Sequence, residues 1–282
     1  MDAESSEQAR TVDHATSAEQ VRDRRIALLA SVLAMVFGSA IAVLLHECAH
    51  WVTGAALGHT SRLHASFVTY AGTPSAADTA IMALAGPLLS LLLGLVLTFW
   101  LPLRRIRGPW HLLWVWTGFT SLQEAVTYLV ITPFGVGDTA TVLEAIGGSA
   151  VIALIAMAAG IAGMFWQARR FAVHVRRWSG DDLVLARCYA WFPWLIAAGW
   201  SVVLQIVMIP LSTEPTVAES ILIALAGLSM TVFAPMSFIF RRRTKVPREP
   251  LGLTRVPVVL LIGYLVLLVV NVVLTLTGPA LG

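Results

Sequence analysis

The chain has 282 residues, of which 57% are hydrophobic and only 12% charged, and its mean hydropathy is +0.79. A polypeptide this apolar reads as an integral membrane protein rather than a water-soluble domain. The net charge of +3 does not point to nucleic acid, because the basic residues cluster beside apolar stretches where they set topology, and two cysteines outside any Cys-x-x-Cys pair are too few for a disulfide framework.

Residues Met1 to Gln20 are polar and mixed in charge, so a disordered cytoplasmic tail or a frayed helix is expected over 1–21. No secretory signal is expected, since the tail carries acids and the apolar run behind it is longer than an h-region. Seven stretches are apolar and long enough to span: Ile26 to Leu45, Thr79 to Leu101, Trp110 to Ile131, Ser149 to Trp166, Tyr189 to Leu211, Ile221 to Phe240 and Val256 to Leu276. The expected fold class is therefore an all-α membrane protein of about seven transmembrane helices. Counting Lys and Arg, 18 of the 19 fall before the first span or in the loops after the second, fourth and sixth, and only Arg62 falls on the other side. The positive-inside rule then puts the amino terminus in the cytoplasm and the carboxyl terminus outside.

The end of the first span carries LLHECAHWVTG, in which His46, Glu47 and His50 form a His-Glu-x-x-His pattern. Positions i and i+4 share one helical face, so two neutral imidazoles can hold one metal while Glu47 stands beside it as a base. Ionisable groups at membrane depth are costly, which argues against the plain alternative of two packing histidines. The helix is expected to run on to Gly58, a plausible terminator.

Arg62 to Tyr70 (RLHASFVTY) alternates loosely before Gly72 and Pro74, the pattern of a short strand or hairpin, with an ordinary connecting loop as the alternative. The second span contains ALAGPLLS, Ala83 to Ser90. In the third, Glu124 is the only carboxylate inside a span apart from Glu47, read either as a polar contact between helices or as a group supporting the metal. That span ends in ITPFGVGDTA, where Pro133 and two glycines predict irregular backbone, tolerated at membrane depth only when buried in protein or lining a wet cavity.

A catalytic zinc needs a third protein ligand. Thr53 and Ala56 stand where a metzincin would have Gly and His, which excludes that class. His59, His64, Asp78, His111, Glu124, Asp138 and Glu144 remain, and Asp138, on the broken backbone, is the best placed. Its alternative role is to cap the helix that begins near Thr139.

Together, HECAH late in a membrane helix, Ala85-Gly86-Pro87 in the next and Pro133 with Gly137-Asp138 in the third resemble the site-2 protease family of intramembrane zinc metalloproteases. The resemblance covers about Ala27 to Ala145 and implies a three-helix catalytic core, 22–148, followed by accessory spans of unassigned role, 149–282. It implies one catalytic Zn2+ held by His46, His50 and Asp138, with Glu47 as base and Ala85, Gly86, Pro87, Ser90 and Glu124 in support. It also implies a membrane-associated β element near Arg62 to Tyr70, whose edge can take an extended substrate by strand addition. Departures from the family pattern are Ser90 where Asn is common, Gly137 where Leu is common and Thr139 where Gly is common.

The expected function is hydrolysis of peptide bonds in a transmembrane protein substrate. Glu47 takes a proton from zinc-activated water and returns it to the leaving amine, and the substrate helix must unwind before its carbonyls are open to attack. The lipid bilayer is the other partner, the expected location is a multi-pass position in the plasma membrane of a prokaryote, and oligomeric state is left open. Two rivals stand beside this: a catalytically inactive relative acting as a membrane scaffold, and a metal-handling transporter, which predicts further ionisable residues along a path. Relatives of the site-2 type generally open nearer the cytosolic face, whereas the charge asymmetry of this chain places the site toward the outside.

Overall fold

In lipid, every backbone N–H and C=O must find its partner within the protein, so long apolar runs with few breakers become helices. The computed structural model describes residues 2–100, 107–208 and 230–282. The first helix, α1 (Asp2–Ala56), is 55 residues long. Its backbone is helical through the segment for which the sequence predicts a disordered tail or a frayed helix, and the chain leaves it at Gly58, where φ is +86°. Two short strands follow, β1 (Ser61–Leu63) and β2 (Val68–Tyr70). They pair antiparallel with Ser61 opposite Tyr70 and Leu63 opposite Val68.

Next come α2 (Ala76–Leu95), capped by the Ser75 hydroxyl, and α3 (Pro109–Ile131). A 3-10 turn at Thr132–Phe134 separates α3 from α4 (Asp138–Ala145), and the two helices meet at a bend of 53°. The chain continues with α5 (Ala150–Ser179), α6 (Leu183–Tyr189), α7 (Trp191–Met208), α8 (Phe233–Arg241) and α9 (Val258–Thr277). Strand β3 (Ala280–Leu281) then pairs with β1 on the side away from β2.

Five of the helical stretches are long and apolar enough to cross a membrane, and the bent α3–α4 unit makes a sixth. The first part of the sixth stretch expected from the sequence, Ile221 to Phe240, lies outside the described residues, and its described end holds the nine-residue α8. The described residues therefore hold five or six of the seven spans expected from the sequence.

Side chains are distributed as lipid requires. Val266 and Val269 on α9 are 59% and 63% exposed, and an apolar face of that extent is stable only when something other than water covers it. The interior holds an aromatic cluster in which the Phe171 and Phe233 ring centroids lie 4.8 Å apart. It also holds paired polar groups, with the Ser31 hydroxyl donating to the Tyr189 carbonyl at 2.8 Å while Trp116 Nε1 donates to Ser31 at 3.1 Å. Asn271 on α9 reads from the sequence as a polar contact between helices, yet its Oδ1 is buried with no partner among the described residues.

Helices α2 and α3 both pack on α1. The approach is close because the contacts use glycine: a Cβ on Gly38 would meet the Thr117 backbone nitrogen at 2.9 Å, and one on Gly94 would meet Leu122 N at 2.7 Å. Small residues at such contacts are how helices associate where no hydrophobic force separates them from lipid. Described basic residues of α1, α5 and α8 meet at one end of the bundle. There Arg24 pairs with Asp182 at 3.0 Å, and Arg241 donates to the Gly180 and Asp182 carbonyls at 2.9 and 3.2 Å.

Candidate metal centre

The helical period places His46, Glu47 and His50 on the part of α1 that faces α2 and α3, and all three are buried. His46 Nε2 and His50 Nε2 lie 3.0 Å apart. Asp138 Oδ2 approaches them to 2.9 and 3.2 Å respectively, so three groups of ligating type converge on one point.

The far sides of the rings decide what the near sides offer. His50 Nδ1 is 2.7 Å from the Met82 carbonyl; a carbonyl only accepts, so Nδ1 carries the proton. His46 Nδ1 is 3.1 Å from Ser90 Oγ, and the single hydroxyl proton of Ser90 is donated to Glu124 Oε2 at 2.7 Å. Ser90 must then accept from His46 Nδ1–H. In the neutral rings both Nε2 atoms are left as lone pairs, and they face each other and a carboxylate oxygen. Three acceptors at this separation repel unless a positive charge sits among them.

One cation satisfies all three. The separations of 2.9 to 3.2 Å fall a few tenths of an ångström below the edge of about 3.3 Å that tetrahedral bonds of 2.0–2.1 Å imply. The donor set is two imidazoles and a carboxylate, each imidazole oriented from behind by an acceptor, which is the arrangement that metal-binding histidines adopt. The group can hold a metal ion.

The local backbone explains how Asp138 arrives there. Gly137 takes φ +80° and abuts Tyr128, so that a Cβ would lie 2.8 Å from Tyr128 Cδ1. Thr139 Oγ1 donates to the Tyr128 carbonyl at 2.7 Å, Thr132 Oγ1 donates to the same carbonyl at 2.9 Å, and the two hydroxyls lie 2.7 Å apart. The turn is thus locked onto the end of α3, and Asp138 projects from the first residue of α4 toward α1. Gly137 and Thr139 both fit this junction, one through its positive φ and the other through its hydroxyl.

Gly86 is the residue of the Ala85-Gly86-Pro87 run that meets the cluster. A Cβ there would lie 2.3 Å from His50 Nε2 and 2.5 Å from His46 Nε2. Pro87 is buried beside it and Ala85 is half-buried. Ser90 and Glu124 form the line behind His46, with Glu124 Oε1 also 3.6 Å from its Nδ1.

The remaining candidates lie elsewhere. His59 pairs with Asp78 at 3.2 Å, His64 stacks on Phe67, Glu144 is exposed on α4, and His111 sits near the start of α3 beside Trp178.

Sequence reading missed three participants. Tyr128 stacks on His46 with ring centroids 5.3 Å apart and planes 12° from parallel. It lies one turn beyond Glu124 on α3, so the i, i+4 relation that links His46 to His50 marks it too. Tyr70, from β2, donates to the His50 carbonyl at 3.3 Å. Burial, then the charges of Glu47 and Asp138, push its phenol upward, so it remains a protonated donor at the edge of the site. The third participant is the Met82 carbonyl, which no side-chain pattern announces.

The line behind His46 carries an expected result. Ser90→Ala removes the acceptor that fixes the His46 ring and is expected to weaken metal binding about 10- to 100-fold, measured by competition with a chelating dye. Unchanged affinity would show that the hydroxyl does not orient the ring.

Compared with family models, with curated proteins and with solved structures, the chain finds no match.

Proposed function

We propose that this chain is an intramembrane zinc metalloprotease of the site-2 type, cleaving transmembrane protein substrates. The observation that carries the proposal is the convergence of His46 Nε2, His50 Nε2 and Asp138 Oδ2, with Glu47 buried next to His46 on the same turn of α1. Two histidines, a carboxylate and an adjacent glutamate are the composition of a hydrolytic zinc site with one position left for solvent.

His46, His50 and Asp138 would hold the metal. A zinc ion bound there supplies a Lewis acid that brings the ionisation of water near neutral pH. Glu47 would serve as the base that takes a proton from the attacking water and as the acid that returns it to the departing amine. Tyr70, still protonated, gives its hydroxyl proton to the His50 carbonyl and so fastens β2 to the end of α1 that carries the site. Glu124 and Ser90 hold His46 in the tautomer that leaves Nε2 free. The open strand β2 stands at the same end of α1 and suits an extended backbone, which is the form a substrate must take before its carbonyls can be attacked.

Orientation follows from charge. Arg24 and Arg241 lie together at one end of the bundle, both on the Asp182 turn, and His46 is twenty-two residues further along α1 than Arg24, about 33 Å at 1.5 Å per residue. With the basic end in the cytoplasm, the site faces the outer side.

Zinc content and cleavage of a membrane substrate, measured before and after Glu47→Gln, test the proposal. We expect the variant to keep its metal and to lose at least about 100-fold in cleavage rate. Cleavage at the unaltered rate would remove Glu47 from the reaction.

A further inference from the structure

At the end of the bundle away from the metal centre, the segment after α8 folds back across the ends of α3 and α5. The Glu249 N–H donates to the Arg177 carbonyl at 2.8 Å, and the Gly108 N–H donates to the Leu251 carbonyl at 3.0 Å. These bonds, with Leu251 buried, hold the segment over a cavity of about 240 Å³.

Its walls are basic. Arg107 comes from the residues just before α3, Arg177 from the last turn of α5 and Arg248 from the overlying segment, with His111, Trp178 and Glu249 completing the lining. Among the described residues none of the three arginines has a carboxylate partner within ion-pair distance. Among the described residues, Arg177 Nε and the indole N–H of Trp178, a residue 1% exposed, are buried donors without an acceptor.

Three guanidinium groups from separate segments around one cavity repel one another, and buried donors without acceptors cost free energy. Both costs are removed by a ligand that brings negative charge and several acceptor oxygens. A carboxylate offers two oxygens in one plane, whereas the lining presents donors from three segments on different sides, which suits the tetrahedral oxygens of a phosphate. We propose that this cavity binds a phosphate group. Basic pockets between membrane helices on the cytoplasmic side take phospholipid head groups, and a soluble phosphate compound offers the same chemistry.

The full-length protein in nanodiscs of mixed phosphatidylglycerol and phosphatidylcholine, released into a native mass spectrometer, provides one arm of the test. Titration of the detergent-solubilised protein with inorganic pyrophosphate, read by calorimetry, provides the other. Retention of phosphatidylglycerol, falling at least about tenfold in Arg177→Gln/Arg248→Gln, identifies a lipid head group. Pyrophosphate binding with the same dependence but no lipid preference identifies a soluble phosphate. Glu249→Gln, which keeps the backbone bond of the segment, is expected to raise affinity about threefold by removing a like charge, and this holds even if the double arginine variant does not fold. Absence of binding in both arms, or affinity unmoved by Glu249→Gln and by the arginine changes, overturns the proposal.

Discussion

Replacing Asp138 with alanine is expected to strip the protein of its metal while leaving the helices in place. Asp138 contributes the only oxygen among the three converging atoms, 2.9 and 3.2 Å from the two imidazole nitrogens. Its removal leaves two ligands on one turn of α1, fewer than any stable zinc site uses. Loss of an outer partner costs about 10- to 100-fold in affinity, so loss of a direct ligand should exceed about 1000-fold. The fold should persist, because the Thr132 and Thr139 hydroxyls that fasten the turn to the Tyr128 carbonyl remain. Metal content after dialysis against a chelator, read with the far-ultraviolet circular dichroism of the same sample, checks both halves. Stoichiometric metal in Asp138→Ala would exclude Asp138 from the ligand set. Asp138→Asn keeps one oxygen without the charge and should fall between the two.

Some of this centre is legible from the chain and some is not, for definite reasons. His46, Glu47 and His50 are legible because the helical period alone decides which side chains share a face. Asp138 is legible more weakly, from the conjunction of Pro133, Gly135 and Gly137, since such a break inside an apolar stretch needs a buried or wet setting. Ser90 and Glu124 sit in spans whose composition marks them as polar contacts, but their partnership depends on the axial offset of α2 against α3. That offset is set by interlocking shapes such as Gly94 against Leu122, and no local pattern reports it. The Met82 carbonyl is invisible for a stronger reason, because every residue has one. The basic cavity was equally hidden: its arginines lie in three separate segments, which a charge count reads only as topology.

The bend between α3 and α4 shows why glycine and threonine suit positions 137 and 139. Leu at the position of Gly137 would bring a Cβ into the Tyr128 ring and could not easily hold a φ of +80°. The chain instead places glycine there, and the hydroxyl of Thr139 on the Tyr128 carbonyl. Tyr128 in turn lies flat on His46. The same ring therefore touches both the turn that presents Asp138 and the imidazole that Asp138 approaches, which ties the geometry of the third ligand to that of the first.

Gly86→Ala is expected to abolish metal binding through a single methyl group. In an ordinary helix this change stabilises by about 0.5–1 kcal/mol, since alanine loses less conformational freedom on folding. Here the added carbon would lie 2.3 Å from His50 Nε2 and 2.5 Å from His46 Nε2, the two atoms whose lone pairs face the metal position. Neither ring can turn away without giving up its partner behind, the Met82 carbonyl or Ser90 Oγ. Relief must come from separation of α1 and α2, and overpacking of this kind costs about 1–3 kcal/mol, more than the helix gains. Gly199→Ala in α7, where a Cβ meets nothing within 4 Å, supplies the control and should be neutral or slightly stabilising. Thermal unfolding of metal-free protein and metal stoichiometry, measured on both variants, separate the two effects. A Gly86→Ala protein that holds a full equivalent of metal would show that α2 does not set the space in which the ligands meet.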